Sequence, residues 1–166
     1  MSETETTRPA TWEDVELVAR LLARHDVSWA LIGGYAIAAH GFVRFSEDVD
    51  ILVDPSPENA RKWIAALSEL PDGAARELAG EEDIFEREGP FAVRINDEFT
   101  IDVMPSACGH DWAELRLFVE ERVVSGAKIP VLGLEGLLRT KEGARDKDRA
   151  DASVLRAALD RLRATE

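Results

Sequence analysis

The sequence is short of cysteine, of histidine, of long apolar runs and of positive charge, and each shortage excludes a class of protein. Cys108 is the single cysteine, so no intrachain disulfide can form. A zinc site would have to be assembled mainly from His25, His40, His110 and carboxylates at unhelpful spacings, and none is expected. No apolar run approaches the ~20 residues that cross a bilayer. Met1 to Arg8 is polar and acidic, with no apolar stretch behind a basic start, so it does not read as a secretory signal and a cytoplasmic protein is expected. With 33 Asp and Glu against 20 Lys and Arg, the net charge is −13. That balance opposes sequence-blind binding to DNA or RNA, which draws its energy from Lys and Arg replacing counterions on phosphates.

What remains is a soluble globular composition, 45% hydrophobic and 32% charged, in 166 residues. This length suits one domain spanning 1–166, with a core over about 12–131 and a C-terminal helical segment over about 132–163. The charge is unevenly placed. Residues 136–166 hold eight basic and six acidic side chains, a balance of +2, so residues 1–135 carry −15. Opposite signs on two segments imply an electrostatic clasp, or a cleft that handles an anion together with a cation.

The apolar pattern gives the element order. Val15, Leu17, Val18, Leu21 and Leu22 form a helical stripe over Trp12 to His25, with Thr11 as N-cap and Glu13 and Asp14 in the first turn. Trp29 to Ile32 reads as a strand stopped by Gly33-Gly34, and Tyr35 to His40 as a buried helix. Asp48 to Asp54 reads as a central strand closed by Pro55-Ser56-Pro57, where Ser56 can cap a helix burying Trp63, Ile64, Leu67 and Leu70. Residues 71–82 are turn-like. Phe91 to Ile95 and Phe99 to Met104 read as a hairpin around Asn96-Asp97-Glu98. The rest is predicted as a helix over Asp111 to Glu121, short β segments at Val123-Val124 and Ile129 to Val131, a helix from Leu134 to about Ala144, and a last helix from about Lys147 to Arg163. The order predicts an α/β (α+β) fold: a small mixed sheet flanked by helices and completed by C-terminal helices. Trp12, Trp29, Trp63 and Trp112 each lie near an apolar stripe and read as core. Tyr35 reads as core or as lining of a pocket, and His40, before Gly41, as a helix C-terminal cap.

The chemistry lies in carboxylates at strand positions. Asp48 and Asp50 are two apart on one strand, so both point to one face and repel each other. A cation must compensate, and paired carboxylate oxygens suit Mg2+, above all when substrate phosphates complete its shell. Asp102 stands mid-strand between Ile101 and Val103, which face the other way, so it joins the pair if its strand lies beside theirs. Gly33-Gly34 lets the backbone approach a ligand where a helix offers N–H donors to phosphate. Arg44 and Ser46 add a cation and a hydroxyl beside the same anion. An EF-hand is excluded because Val49, Ile51 and Leu52 fill positions that need polar residues. A dinucleotide fingerprint lacks its later glycine, and no P-loop lysine follows the glycines.

Gly33-Gly34, thirteen residues, Asp48-Val49-Asp50 and the later Asp102 together resemble the signature of the DNA-polymerase-β-like nucleotidyltransferase superfamily. The fuller string Ile32-Gly33-Gly34-Tyr35-Ala36, His40-Gly41, Arg44, Ser46, Asp48 and Asp50 is similar to its minimal bacterial members, near the AbiEii-type toxin and antibiotic nucleotidyltransferase branches. Leu134 to Leu138, Lys141, Ala144-Arg145, Lys147-Asp148 and Asp151 are similar to the basic helix of those branches. The resemblance implies that Asp48 and Asp50 hold one or two Mg2+ ions, and that Asp102 shares a metal or accepts the acceptor hydroxyl's proton. It implies a triphosphate held by Gly33, Gly34 and Ser46, and contacts from Lys141, Arg145 and Lys147 to phosphates or the acceptor. The substrates implied are an NTP and a hydroxyl acceptor: a small molecule, a protein side chain or a tRNA end. A cognate antitoxin is the implied partner. An acidic surface favours a cationic small acceptor over tRNA. The competing reading is a catalytically silent nucleotide- or partner-binding module of the same fold, against which stands the presence of all three carboxylates.

Overall fold

The structure, a computed structural model, describes residues 7–89, 91–142 and 146–164. Helix α1 (Trp12–Arg24) leads into β1 (Trp29–Ile32), α2 (Gly33–Ala39), β2 (Asp48–Val53) and α3 (Pro57–Leu67). A 3-10 turn (Ala74–Leu78) and α4 (Ile84–Glu88) precede the hairpin β3 (Val93–Asn96) and β4 (Thr100–Met104). A two-residue ribbon, β5 (Ser106–Ala107) with β6 (His110–Asp111), runs into α5 (Trp112–Leu115), and a second hairpin follows, β7 (Val119–Val124) and β8 (Ala127–Leu132). Helices α6 (Leu134–Arg139) and α7 (Asp146–Ala164) complete the described chain.

Six strands form one mixed sheet in the order β3-β4-β2-β1-β8-β7. The β2/β4 and β1/β8 pairs are parallel, and the β1/β2, β3/β4 and β7/β8 pairs antiparallel. This is the mixed α/β architecture expected from the element order. The central strands are buried because their odd-numbered residues, Val49 and Ile51 on β2 and Ile101 and Val103 on β4, pack into one cluster with Leu22, Leu31, Trp63 and Leu67. Trp29 and Trp63 are core, whereas Trp12 and Trp112 pack against the core half-buried. Helices α1 and α3 pack on each other, α2 lies against β1 and β2, and α7 rides on α6. Among the described residues, no helix is long and apolar enough to cross a membrane.

Three segments depart from the expected pattern. The helix predicted over Asp111 to Glu121 shrinks to Trp112–Leu115 plus a 3-10 turn (Arg116–Phe118), and Val119 to Val124 pairs with β8 instead. The turn Ser125-Gly126, with φ of 51° and 84°, matches the twist of a two-residue hairpin, and pairing across it outweighs the helical spacing. Helix α6 stops at Arg139, with Gly143 to Arg145 outside the described residues. The turn-like stretch 71–82 holds the 3-10 turn, and α4 follows it where no element is predicted; both are too short to leave a periodic signal.

Two local devices near the chain's entry to the sheet have measurable weight. Thr11 caps α1 in a capping box: the Asp14 amide donates to the Thr11 hydroxyl, and the Thr11 amide donates to Asp14 Oδ2 at 2.8 Å. Arg8 grips both oxygens of the same buried carboxylate at 2.6 and 2.9 Å. The Arg8 guanidinium is the chief cause that holds the Asp14 carboxyl below its ordinary value. Where β1 ends, Ile32 pairs with Asp50, and Gly33 turns the chain into α2 at φ +73°. A Cβ on Gly33 would overlap the Asp50 carboxylate, so both the backbone and the space require glycine.

Asp14→Asn is expected to lower stability by about 1 kcal/mol at neutral pH. Because the folded carboxyl titrates below the unfolded one, the difference is fully present above about pH 4 and fades as the pH falls through the lower folded value. Urea unfolding of both proteins from pH 7 to 3 checks it. Gly33→Ala is expected to lose at least about 1–2 kcal/mol from the left-handed backbone alone, read by the same unfolding measurement.

Candidate active site

The register of three strands sets the site. Arg94 on β3 lies opposite Asp102 on β4, Asp102 lies beside Asp50 on β2, and Asp50 lies opposite Ile32 at the end of β1. Paired residues share a face, so Arg94, Asp102 and Asp50 form one row across the sheet, with Asp48 two residues earlier on the same face. The structure therefore brings together the carboxylates of Asp48, Asp50 and Asp102, which line the floor of a cleft of about 1110 Å³.

Like charges so close need a counter-ion, and the fold supplies one. Arg94 Nε donates to Asp102 Oδ1 at 2.9 Å and Nη2 to Asp102 Oδ2 at 3.1 Å, while Nη2 also lies 3.5 Å from Asp48 Oδ2. The Arg94 guanidinium is pushed above its ordinary value, first by the Asp102 hydrogen bonds and then by the charges of Asp102, Asp48 and Asp50. Three carboxylates and one guanidinium leave two formal negative charges on the floor. Among the described residues, no three His, Cys, Asp or Glu side chains converge to hold a metal ion by themselves. The donor set still fits a hard divalent cation of the magnesium type, which uses one or two carboxylates and takes its other ligands from water and phosphate.

The walls come from further elements. Gly34 packs against Ser46, whose Cβ would stand 2.7 Å from any Cβ added at Gly34, and Ser46 Oγ donates to the Asp48 carbonyl at 2.8 Å. That bond fixes the entry to β2, so the hydroxyl orders the aspartate strand. Arg44 and Lys141 also line the cleft, and both are already paired. Arg44 Nε donates to Asp151 at 3.2 Å, and Lys141 Nζ lies 3.2 Å from Asp151 and 3.7 Å from Asp148. The C-terminal segment thus meets the loop before β2 through a largely enclosed ion cluster in which the anion, Asp151, comes from the basic segment and the cation, Arg44, from the acidic one, the reverse of the clasp that the charge split suggested; the pair of Arg139 with Glu114, at 2.9 Å, has the expected sense. Arg145 and the Lys147 side chain lie outside the described residues.

Several lining residues carried no obvious sequence signal. Residues Pro9 to Glu13 form one wall, held where the Arg8 amide donates to the Glu98 carbonyl and the Ala10 amide to the Glu47 carbonyl, both at 2.9 Å. Tyr35 donates to the Ala10 carbonyl at 2.6 Å and stacks edge-on with Trp12, so it packs this wall and lines the cleft together. Phe45 stands 88% exposed at the rim. Counting across the hairpin from Asn96-Asp97-Glu98 puts Arg94 on the face of Asp102 but opposite Thr100; the observed register pairs Asn96 with Thr100 instead, and so brings Arg94 to Asp102. His40 is the C-cap residue of α2, but its ring is buried with Nε2 3.0 Å from the Leu132 carbonyl, and burial holds it below the ordinary histidine value. It therefore caps as a neutral group away from the cleft.

Comparison with solved structures finds the same architecture elsewhere. A Thermotoga maritima protein provisionally classed as a nucleotidyltransferase (TM1012) superposes with a TM-score of 0.57 at 18% identity, covering 97% of this chain and 99% of that one. The lincomycin-bound lincosamide antibiotic adenylyltransferase LnuA superposes with a TM-score of 0.53 at 15% identity, covering 89% of this chain and 98% of that one. At these identities the likeness shows the fold. Among curated proteins, none matches by sequence. The family model described as nucleotidyl transferase AbiEii toxin, type IV TA system, matches residues 17–141, a span that holds the diglycine turn, all three aspartates and Lys141. The chain belongs to the AbiEii nucleotidyltransferase family.

Proposed function

We propose that this protein is a Mg2+-dependent nucleotidyltransferase that moves NMP from an NTP to an acceptor hydroxyl and releases pyrophosphate. One observation carries the reading: Asp48, Asp50 and Asp102 share one face of adjacent strands at the floor of a cleft walled by Gly34, Ser46, Arg44 and Lys141. The floor's two residual negative charges favour a divalent cation, and the basic wall favours phosphate. When bound, the metal supplies charge neutralisation at the attacking and leaving oxygens.

The chain's own residues would act as follows. Asp48 and Asp50 hold the cation from one strand, kept close by the alternation of β2. Asp102, one strand away, shares the cation or accepts the proton of the attacking hydroxyl. Gly33 and Gly34 let the Asp50 carboxylate and Ser46 close up against the backbone beside the space proposed for the triphosphate, and Ser46 holds the aspartate strand in register beside them. Arg44 and Lys141 face the phosphates from the helical side, with Arg145 and Lys147 proposed to extend that side. In-line attack on the α-phosphorus forms the new ester and breaks the α–β bond, and pyrophosphate leaves.

For the acceptor, the acidic floor and the net charge of −13 support a cationic small molecule ahead of a tRNA end or a protein side chain. LnuA, a lincosamide antibiotic adenylyltransferase solved with lincomycin bound, is a structural neighbour with a small-molecule ligand. The toxin–antitoxin description of the family supports a cognate antitoxin as partner.

Incubation with Mg2+ and each NTP in turn, with and without acceptors, is expected to release pyrophosphate, and EDTA is expected to stop it. Asp50→Asn is expected to lower the rate by at least roughly 10²–10³. The same change should leave the thermal midpoint unchanged or slightly raised in the absence of metal, because it removes a like charge from the row. Undiminished pyrophosphate release by that variant defeats the assignment, and nucleotide binding without release under any acceptor supports the silent module instead.

A further inference from the structure

Two kinds of cation line the cleft. Arg44 and Lys141 are largely enclosed, with side chains 21% and 10% exposed, and they are tied to α7 through Asp148 and Asp151. Arg94 is different. Its strand, β3, is the edge of the sheet, and its side chain is 60% exposed although it grips Asp102 and reaches Asp48. It can swing from the carboxylates to solvent, and the hydrogen bonds it gives up in doing so are the two part-buried ones to Asp102.

We infer that Arg94 is a releasable counter-cation: it competes with a divalent cation for Asp48 and Asp102, and so couples loading of the cation to loading of a polyphosphate. This rests on the nucleotidyltransferase reading above and deepens it. A bare divalent ion approaching the floor meets a guanidinium already hydrogen-bonded to both oxygens of Asp102. To bind there it must displace that fork and leave two positive groups near each other, with no new partner for the arginine. An ion arriving with a polyphosphate brings anionic oxygens, to which a planar guanidinium bonds bidentately, so the displaced arginine exchanges a carboxylate for a phosphate. The free energy lost in one exchange is recovered in the other, and linkage makes the coupling reciprocal. The like charges on the floor are thereby partly offset until a complete substrate complex arrives.

The test measures binding rather than turnover. Mn2+ binding to the full chain is followed by electron paramagnetic resonance of the free ion, and binding of preformed Mn2+–tripolyphosphate by calorimetry. The proteins compared are the wild type, Arg94→Met, Arg94→Gln, and each of the three chains carrying Asp50→Asn. Loss of the guanidinium is expected to tighten bare Mn2+ binding roughly tenfold, the size of one charge-assisted hydrogen bond, while the tripolyphosphate complex binds no tighter or more weakly. Two neutral variants that behave alike exclude a folding artefact of either. Bare-ion affinity that is unchanged or weakened in both variants overturns the inference, as does equal tightening for ion and complex. Binding that Asp50→Asn abolishes but Arg94 variants leave untouched refutes the arginine's role alone. Absence of Asp50-dependent binding in every chain, with ion or complex, refutes the metal-dependent reading and this inference with it.

Discussion

Everything in this fold that concerns chemistry follows from crowding three carboxylates onto one face of adjacent strands. Parallel pairing of β2 with β4 sets Asp50 level with Asp102, and alternation along β2 adds Asp48. Such crowding is unfavourable unless compensated, and the surrounding sequence is shaped by the compensation. Arg94 balances charge from the outer strand. Gly33 yields room for the Asp50 carboxylate from the inner one. The apolar residues between the aspartates bury the opposite face, so the repulsion is held by a core that cannot relax by sliding one residue without turning every side chain over.

A second constraint concerns the walls. The cleft is walled on one side by the N-terminal segment and on the other by Arg44 and Lys141, which are tied to α7, elements far apart in sequence. The first is fixed by backbone hydrogen bonds to the lead-in of β2 and to the β3–β4 turn, with Tyr35 donating to the same segment. The second is fixed by the cluster of Arg44, Lys141, Asp148 and Asp151. The sheet thus carries the carboxylates on rigid strands, while the rim is assembled from pieces held by polar contacts. A single nucleotidyltransferase scaffold can in this way keep its floor and vary its walls.

Much of this was legible in the amino-acid order, and the remainder was not for identifiable reasons. The strands with Asp48, Asp50 and Asp102 could be read because strict alternation survives the acidic interruptions, and Gly33-Gly34 because a strand stops there without polar loop residues. The capping of α1 by Thr11 and of α3 by Ser56 could be read because each cap follows from one side chain and the residues just after it. Val123-Val124 and Ile129 to Val131 could be read as β segments, but Val119 to Arg122 could not, since its pairing with β8 depends on a two-residue turn whose positive φ values fall on a serine as well as a glycine. The wall formed by Pro9 to Glu13 depends on contacts with residues about 25 to 90 positions away, for which local spacing carries no information. Arg94 lay between these cases: alternation gives its face, but its partner depends on a register two residues off the one a turn at Asn96-Asp97-Glu98 gives, and it is one cation among twenty.

The ion cluster beside the cleft has a consequence for how the last helix is attached. Asp151 serves Arg44 from the segment before β2 and Lys141 from just beyond α6, so one carboxylate is the shared anion of two otherwise separate cations. Any guest that attracts those cations draws on the same electrostatic bond that seats α7. Occupancy of the cleft and the grip on the terminal helix therefore draw on one shared carboxylate, beside the second hold that Asp148 has on Lys141.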